Sequence, residues 1–400
     1  MKLAEFLHQG QQLRRQGRTF AIAYFEQCLE NTINDNEEIG TTARILLDLA
    51  LELIATRQPE LLQKAETILL QAWVKLDRDP ETNDEQRAYL YYVRAILAIE
   101  CGMLTDVLGI LQDTYVLYND NPEGLALTLD AMGQYYLQVN DTQSALRYFE
   151  GSLSMRLEST DECAIAQSYT SLGKLYLAIE DINQAESLYQ NALEIALAND
   201  DRGLQLQALK GLAKATIAEE QWHTAIGLTK DAIALLQEPV DTIEIGYLYC
   251  DISEALLGDR QIEQSLLCVR GEVLPRFRDY DYQKGIAIAK HLRGRIYIHR
   301  LIEGLDTLDE DAIETAQDSL LDASMGFEEL GMMLDYAKTL YDLASLYQLC
   351  SNLPFQYQYQ GKALRSLELS LSVLDKLGMS STKFAIQVDE LLDQAMRGKF

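Results

Sequence analysis

The sequence predicts an all-α fold, a solenoid of about eight antiparallel helical hairpins, and three observations carry that expectation. Small residues Gly133, Gly173, Ala213 and Ser253 recur every 40 residues, each in a similar window. Counted from each of them, the packing residues fall at offsets of helical spacing. The 6 prolines are scattered as Pro59, Pro80, Pro122, Pro239, Pro275 and Pro354 between long runs of Ala, Leu, Gln, Glu and Tyr. Those residues favour helix, and widely spaced prolines punctuate helices.

In the four regular copies, Ala145, Ala185, Ala225 and Ser265 lie 12 residues after the small position, and Phe149, Tyr189, Thr229 and Val269 lie 16 after it. Ser152, Ala192 and Ala232 follow at 19, where the fourth copy has a discordant Glu272. Offsets separated by four and three place these residues on one face of a second helix. Small residues let two helix backbones approach, and a large aromatic fills the gap beside them. Asn140-Asp141-Thr142 and Glu180-Asp181-Ile182 read as the turns, each with an acceptor for the next helix start.

On either side the pattern loosens. Residues 6 to 30 suggest an irregular first pair, with Gly10, Gly17, Ala21, Phe25 and Cys28 at helical spacings. Leu49-Ala50 with Ala65, Leu69 and Ala72 makes a hairpin whose enlarged turn holds Pro59, and Arg94-Ala95 with Val107 and Leu111 makes another. Gly294 and Tyr297 with Ala316, Leu320 and Ala323 fit a hairpin with an insertion at 301 to 311. Ala344 and Tyr347 with Ala363 and Leu367 form the last, its turn enlarged by Pro354 and the Phe355-Gln-Tyr-Gln-Tyr-Gln360 run. Residues 381 to 396, opening on Ser381-Thr382, read as an N-capped closing helix. The expected divisions are an irregular segment 1–85, a regular array 86–277, two degenerate hairpins 278–377 and a capping helix 378–400.

The set of small residue, Tyr136 or Tyr176, Ala, aromatic and Ala at those offsets resembles the tetratricopeptide repeat family, in a long-spaced 40-residue variety. The best copy runs from Ser171 to Glu194, and the resemblance covers residues 86 to 277 well. It implies a right-handed superhelix whose terminal repeats act as caps. It also implies that the first helix of each hairpin lines a concave groove for an extended peptide or a partner's helix. Groove positions lie one after the small residue and three and six before it. Carried over, they give Arg94, Gln134, Lys174, Lys214, Glu254 and Arg295 at the first offset. The second gives Asp130, Thr170, Lys210, Cys250 and His291. The third gives Leu127, Gln167, Gln207, Tyr247 and Ile288.

The chain carries 62 acidic and 34 basic residues, a formal net charge of −28, which repels nucleic acid and anionic membrane. Against that background Gln167, Lys174, Gln207, Lys210, Lys214, His291 and Arg295 make a basic and amide-rich groove, fitted to an acidic segment or a free carboxylate of a protein partner. Ordinary solvated lysines at helix positions are the competing explanation, and Glu254 interrupts the run. No apolar stretch reaches the ~20 residues of a membrane span, and Met1 to His8 lacks the apolar core of a signal peptide, so the expected location is cytoplasmic. Six cysteines stand far apart without paired spacing and read as reduced core residues.

Catalytic and metal motifs are missing. Ser171-Leu-Gly-Lys174 and Ser380-Ser-Thr-Lys383 match SxxK, but the first lies inside the repeat pattern and neither has companion motifs. Asp279-Tyr-Asp-Tyr-Gln-Lys-Gly285 resembles a calcium loop but has Lys290 where the closing Glu belongs. His291 and His299, two helical turns apart, are too distant to share a metal unaided. Acidic runs such as Asp309-Glu310-Asp311 read as solvated loops. The expectation is a scaffold or adaptor without an enzymatic activity or a cofactor. Its output would lie in another chain or segment, as in a sensory or regulatory part of a signalling system, or in a regulator responsive to a signal peptide.

Overall fold

The computed structural model describes residues 3–35, 39–79, 82–159, 161–306, 310–350, 356–380 and 382–397. Pro80, Asp309, Ser381, Pro354 and Phe355 of the readings above lie outside them. Every regular element among the described residues is a helix, and successive helices pair as nine hairpins followed by one closing helix. The chain divides into two compact units, 1–248 and 249–400.

Unit 1 holds α1 (Leu3–Gln16) with α2 (Arg18–Asp35), α3 (Ile39–Thr56) with α4 (Pro59–Arg78), and α5 (Asp84–Glu100) with α6 (Val107–Tyr118). α7 (Pro122–Gln138) with α8 (Thr142–Leu157), α9 (Glu162–Ala178) with α10 (Ile182–Ala198), and α11 (Arg202–Ala218) with α12 (Trp222–Ala234) follow. The division between units falls inside α13 (Thr242–Gly258). First helices stack directly on one another, α3 on α5, α5 on α7, α7 on α9 and α9 on α11. They therefore form the inner, concave layer of this unit.

The 40-residue period has a backbone cause. Asn140, Glu180, Glu220 and Arg260 all adopt left-handed φ of 59–61°. The residue after each sends its N–H back to the carbonyl of Tyr136, Tyr176, Thr216 or Leu256 at 2.8–2.9 Å, so each first helix ends in a Schellman turn. Asp141 and Asp181 then cap the next helix, accepting from the amides of Ser144 and Gln184 at 3.0 and 3.3 Å. Because a side chain in left-handed backbone costs roughly 1 kcal/mol, Glu180→Gly and Glu220→Gly should each raise unfolding stability by up to that amount. Guanidinium titration checks this, and a loss of stability would contradict it.

The predicted packing of aromatic against small residue is present. Phe149 is fully buried against Gly133, where an added Cβ would lie 2.5 Å from its ring. Tyr189 is wedged between Gly173 of its own hairpin and Gly211 of the next, with an added Cβ at 2.8 and 2.2 Å. Val107, Leu111, Ala65 and Ala72 are buried as their spacing implied.

Unit 2 continues from the second half of α13 into α14 (Ile262–Cys268), a π-helical turn (Val269–Val273) and α15 (Leu274–Asp279). The π turn accounts for the discordant Glu272: it turns Glu272 outward and brings Val273, then Phe277, onto the packed face, both with no exposed surface. α16 (Gln283–Ile302) with α17 (Glu310–Glu329) and α18 (Met333–Leu349) with α19 (Gln356–Lys376) complete the hairpins. α20 (Lys383–Met396) closes the end, capped by Thr382, with Ala385, Val388 and Ala395 buried.

Two expected loops are smaller than the sequence suggested. The 301–311 insertion begins inside α16, which carries Leu301 and Ile302, and α17 already starts at Glu310. From 356 onward the Gln/Tyr run is helix, and Tyr359 stacks on Tyr347 with centroids 6.2 Å apart. Hydrogen bonding within α16 and α19 absorbs segments whose polar and aromatic composition reads as turn.

Candidate binding groove

In unit 1 the concave face carries Arg94, Gln134, Gln167, Lys174, Gln207, Lys210, Lys214 and Tyr247, each on a first helix as the offsets require. Arg94, Gln167, Lys174, Gln207 and Lys214 are exposed and the other three half-buried. Several are already engaged. Gln134 donates to Asp130 at 2.7 Å, and Lys210 is ion-paired with Glu244, itself almost wholly buried. Arg57, on the α3–α4 turn with φ 59°, reaches in to Glu100 at 3.0 Å and Glu244 at 3.3 Å.

Lys174 and Lys214 have no carboxylate within ion-pair distance among the described residues; Lys174 only touches the Oε1 of Gln207, at 3.4 Å. Lys174 is open to water yet deep inside the curve of the helices. Desolvation, reinforced by Arg57 and Lys214, lowers its pKa below the ordinary lysine value, while Asp130 and Glu100 pull the other way. A carboxylate placed between the two lysines would restore favourable charge to both.

Beside them lies a cavity of about 550 Å³, lined by Gln167 and Gln207 and by Tyr89, Tyr92, Leu127, Met155, Arg156 and Leu206. A fully buried Asp48 anchors one wall, accepting from Tyr89 Oη at 2.6 Å and from Arg14 and Arg44 at 3.0 Å each. Burial and the Asp48 charge push the Tyr89 phenol well above its ordinary pKa. Arg156, only 5% exposed, donates to the carbonyl of Ala164 and to Ser168 at 3.2 and 2.9 Å.

His291 and Arg295 belong to unit 2, and each is compensated there. Arg295 donates to Glu254 at 2.8 Å, so the Glu that interrupts the sequence pattern is the partner of the next hairpin's Arg. Desolvation pushes the Glu254 carboxyl up, but the charge and the hydrogen bond of the Arg295 guanidinium outweigh it and hold Glu254 below the ordinary carboxylate value. His291 Nε2 lies 2.7 Å from Asp342. The basic run of the sequence is therefore compensated in unit 2, and its open cations lie in unit 1.

His299, nearby on α16, is partly desolvated, and with Arg295 this lowers its pKa. The fold favours the neutral ring, so the unfolded chain takes up the proton first as pH falls past the ordinary value of 6.5. Stability should fall on acidification from about pH 7 to about pH 5, and His299→Gln should flatten that dependence in thermal melts at a series of pH values.

Sequence reasoning missed Arg14, Arg44, Arg57 and Arg156, because they lie outside the first-helix offsets, on irregular hairpins, a turn and a second helix. No group of three His, Cys, Asp or Glu among the described residues could hold a metal ion, and none of the helices is long and apolar enough to cross a membrane.

No protein-family model and no curated protein matches the sequence. Solved structures do match in fold. A Rap protein complexed with Competence and Sporulation Factor aligns with TM-score 0.58 at 13% identity, over 89% of this chain and 99% of that one. A chain of the APC/C hetero-tetramer Cut9–Hcn1 aligns with TM-score 0.58 at 15% identity, over 99% of this chain and 67% of that one. A signal transduction ATPase with a tetratricopeptide repeat sensor, from Pyrococcus horikoshii, gives 0.55 at 14%, over 89% and 52%. The chain is a helical-hairpin solenoid of the tetratricopeptide-repeat type.

Proposed function

We propose that this chain is an interaction scaffold, without catalytic chemistry of its own, that holds an acidic segment or a free carboxylate of a protein or peptide on the concave face of unit 1. The observation that carries this reading is the pair Lys174 and Lys214: water-accessible, without a carboxylate partner among the described residues, and placed beside a cavity of about 550 Å³ in a chain of charge −28. Cavities of ~300–1,000 Å³ are the usual size of a small binding site, and the charged lining of this one suits a polar ligand group. The excess negative charge elsewhere argues against nucleic acid and anionic membrane as partners.

A regulatory role is the finer reading, with the output supplied by another chain or domain and the location cytoplasmic. The likeness to the fold of a protein described as having a tetratricopeptide repeat sensor favours a sensory segment among regulatory roles. Calorimetric titration with short peptides that differ only in carrying acidic, neutral or basic side chains and free or amidated C-termini tests the proposal. Binding confined to acidic or free-carboxylate peptides is expected; equal binding of the basic and amidated set would overturn it.

A further inference from the structure

Unit 1 closes on itself. Residues more than 180 positions apart meet, because Arg18 at the start of α2 donates to Asp241 at 2.8 Å, across 223 residues. The Gln58 side-chain amide donates to the carbonyls of Pro239 and Val240 at 2.7 and 3.0 Å. Arg57 pairs with Glu244, Arg15 lies 3.9 Å from Asp201, and Arg202 donates to the carbonyl of Gln16 at 3.3 Å. One side of this seam is the α1–α2 corner and the α3–α4 turn; the other is the start of α11 and the 237–244 segment.

Neighbouring hairpins are joined by apolar packing, but these seam contacts are polar. The hydrophobic cluster built by residues 6–97 and that built by residues 206–248 share no member. Asp241 is held from behind, since its second oxygen accepts from the amide of Gln237 at 3.0 Å, so it is a prepared acceptor for Arg18. Both edges of the seam also supply walls of the 550 Å³ cavity: Gln11, Arg15 and Arg18 from one, Asp201, Arg202 and Asp241 from the other.

We infer that the seam is a polar latch: it opens and recloses without unfolding either edge, and its opening exposes the buried part of the cavity wall that holds Cys163. Polar contacts made through single side chains cost less to break than the continuous apolar packing that joins stacked hairpins, so the seam opens at a smaller cost than neighbouring hairpins separate. This inference stands whether or not the cavity holds an acidic ligand.

Cys163 reports on the latch. It lines the cavity, is 8% exposed, and burial pushes its thiol pKa up although Arg15 lowers it, so the closed state keeps it unreactive. In the whole chain, residue-resolved alkylation with a maleimide of dye size, read by mass spectrometry, should label Cys163 at least about tenfold faster in Arg18→Ala/Gln58→Ala than in the unmodified protein, the ratio expected for losing on the order of 1.4 kcal/mol of seam contacts. Hydrogen exchange measured in parallel should rise at residues 14–18 and 237–242 and stay unchanged in α9 and α10. Unchanged labelling of Cys163 overturns the latch. So does faster labelling accompanied by faster exchange in α9 and α10, which would mean that the variant had loosened the whole unit. Failure of the peptide titration leaves these readouts unaffected, so the two proposals fail separately.

Discussion

Gly211→Ala should destabilise unit 1 by about 3 kcal/mol, the upper part of the range for overpacking a well-filled core. The added Cβ would sit 2.2 Å from two ring carbons of Tyr189, and the ring cannot retreat, because Gly173 already touches its other side. Tyr189 is one of the largest fully buried side chains, so displacing it exposes the seat between two hairpins. The next repeat shows how such a seat tolerates more bulk, since it places Ala213 opposite Thr229 and both are buried. Tyr189→Leu should accordingly recover part of the loss in the double variant. Chemical unfolding of the three variants decides it: a Gly211→Ala protein within about 0.5 kcal/mol of the parent would show that the ring can move.

The reversal Lys174→Glu/Lys214→Glu should weaken binding of an acidic peptide by on the order of 100-fold, as about 1.5 kcal/mol is lost per charged contact. The effect should exceed that of reversing Lys210 or Arg295, which are already neutralised by Glu244 and Glu254 and whose loss would mainly strand those carboxylates. Melting temperature should change little, since among the described residues neither Lys174 nor Lys214 has an ion pair to lose. Titration calorimetry of the variants with one acidic peptide gives the comparison. Undiminished affinity in the Lys174/Lys214 pair would place the ligand elsewhere.

The regular hairpins were legible in the sequence because the same physical demand recurs at fixed spacing. Phe149 beside Gly133 and Tyr189 beside Gly173 are pairs of one large and one small residue, and such pairs repeat wherever two helices cross at the same depth. The turns at Asn140–Thr142 and Glu180–Ile182 were legible too, through their capping Asp141 and Asp181, but not their conformation, because Glu180, Glu220 and Arg260 occupy left-handed backbone that sequence patterns assign to Gly or Asn. The lengths of α16 and α19 were misread for a related reason: charged and aromatic residues at a helix end look like loop until their partners, such as Tyr347 for Tyr359, are known.

The groove was legible only as positions. Offsets from the small residue place Lys174, Lys214 and Gln207 on the inner helices, but whether a cation is open or neutralised depends on carboxylates brought in by other hairpins. Glu244 takes up Lys210 and Arg57, and Glu254 takes up Arg295. The arginines of the cavity wall come from a turn, a second helix and irregular hairpins, to which no repeat offset points. The latch joins residues 181 to 223 positions apart through single side chains and leaves no periodic trace.

From Ser253 to Gly294, the small positions of two successive hairpins, the interval is 41 residues and not 40. The π turn at Val269–Val273 stores that additional residue inside a helix that continues on either side. Register and chain length are thereby uncoupled at this one place: a chain shortened by one residue between 269 and 273 can return to α-helical geometry and still deliver Phe277 to its seat against Gly285. The repeat unit is accordingly defined by where its side chains land, and a count of residues along the chain follows from it only when no such reservoir lies between.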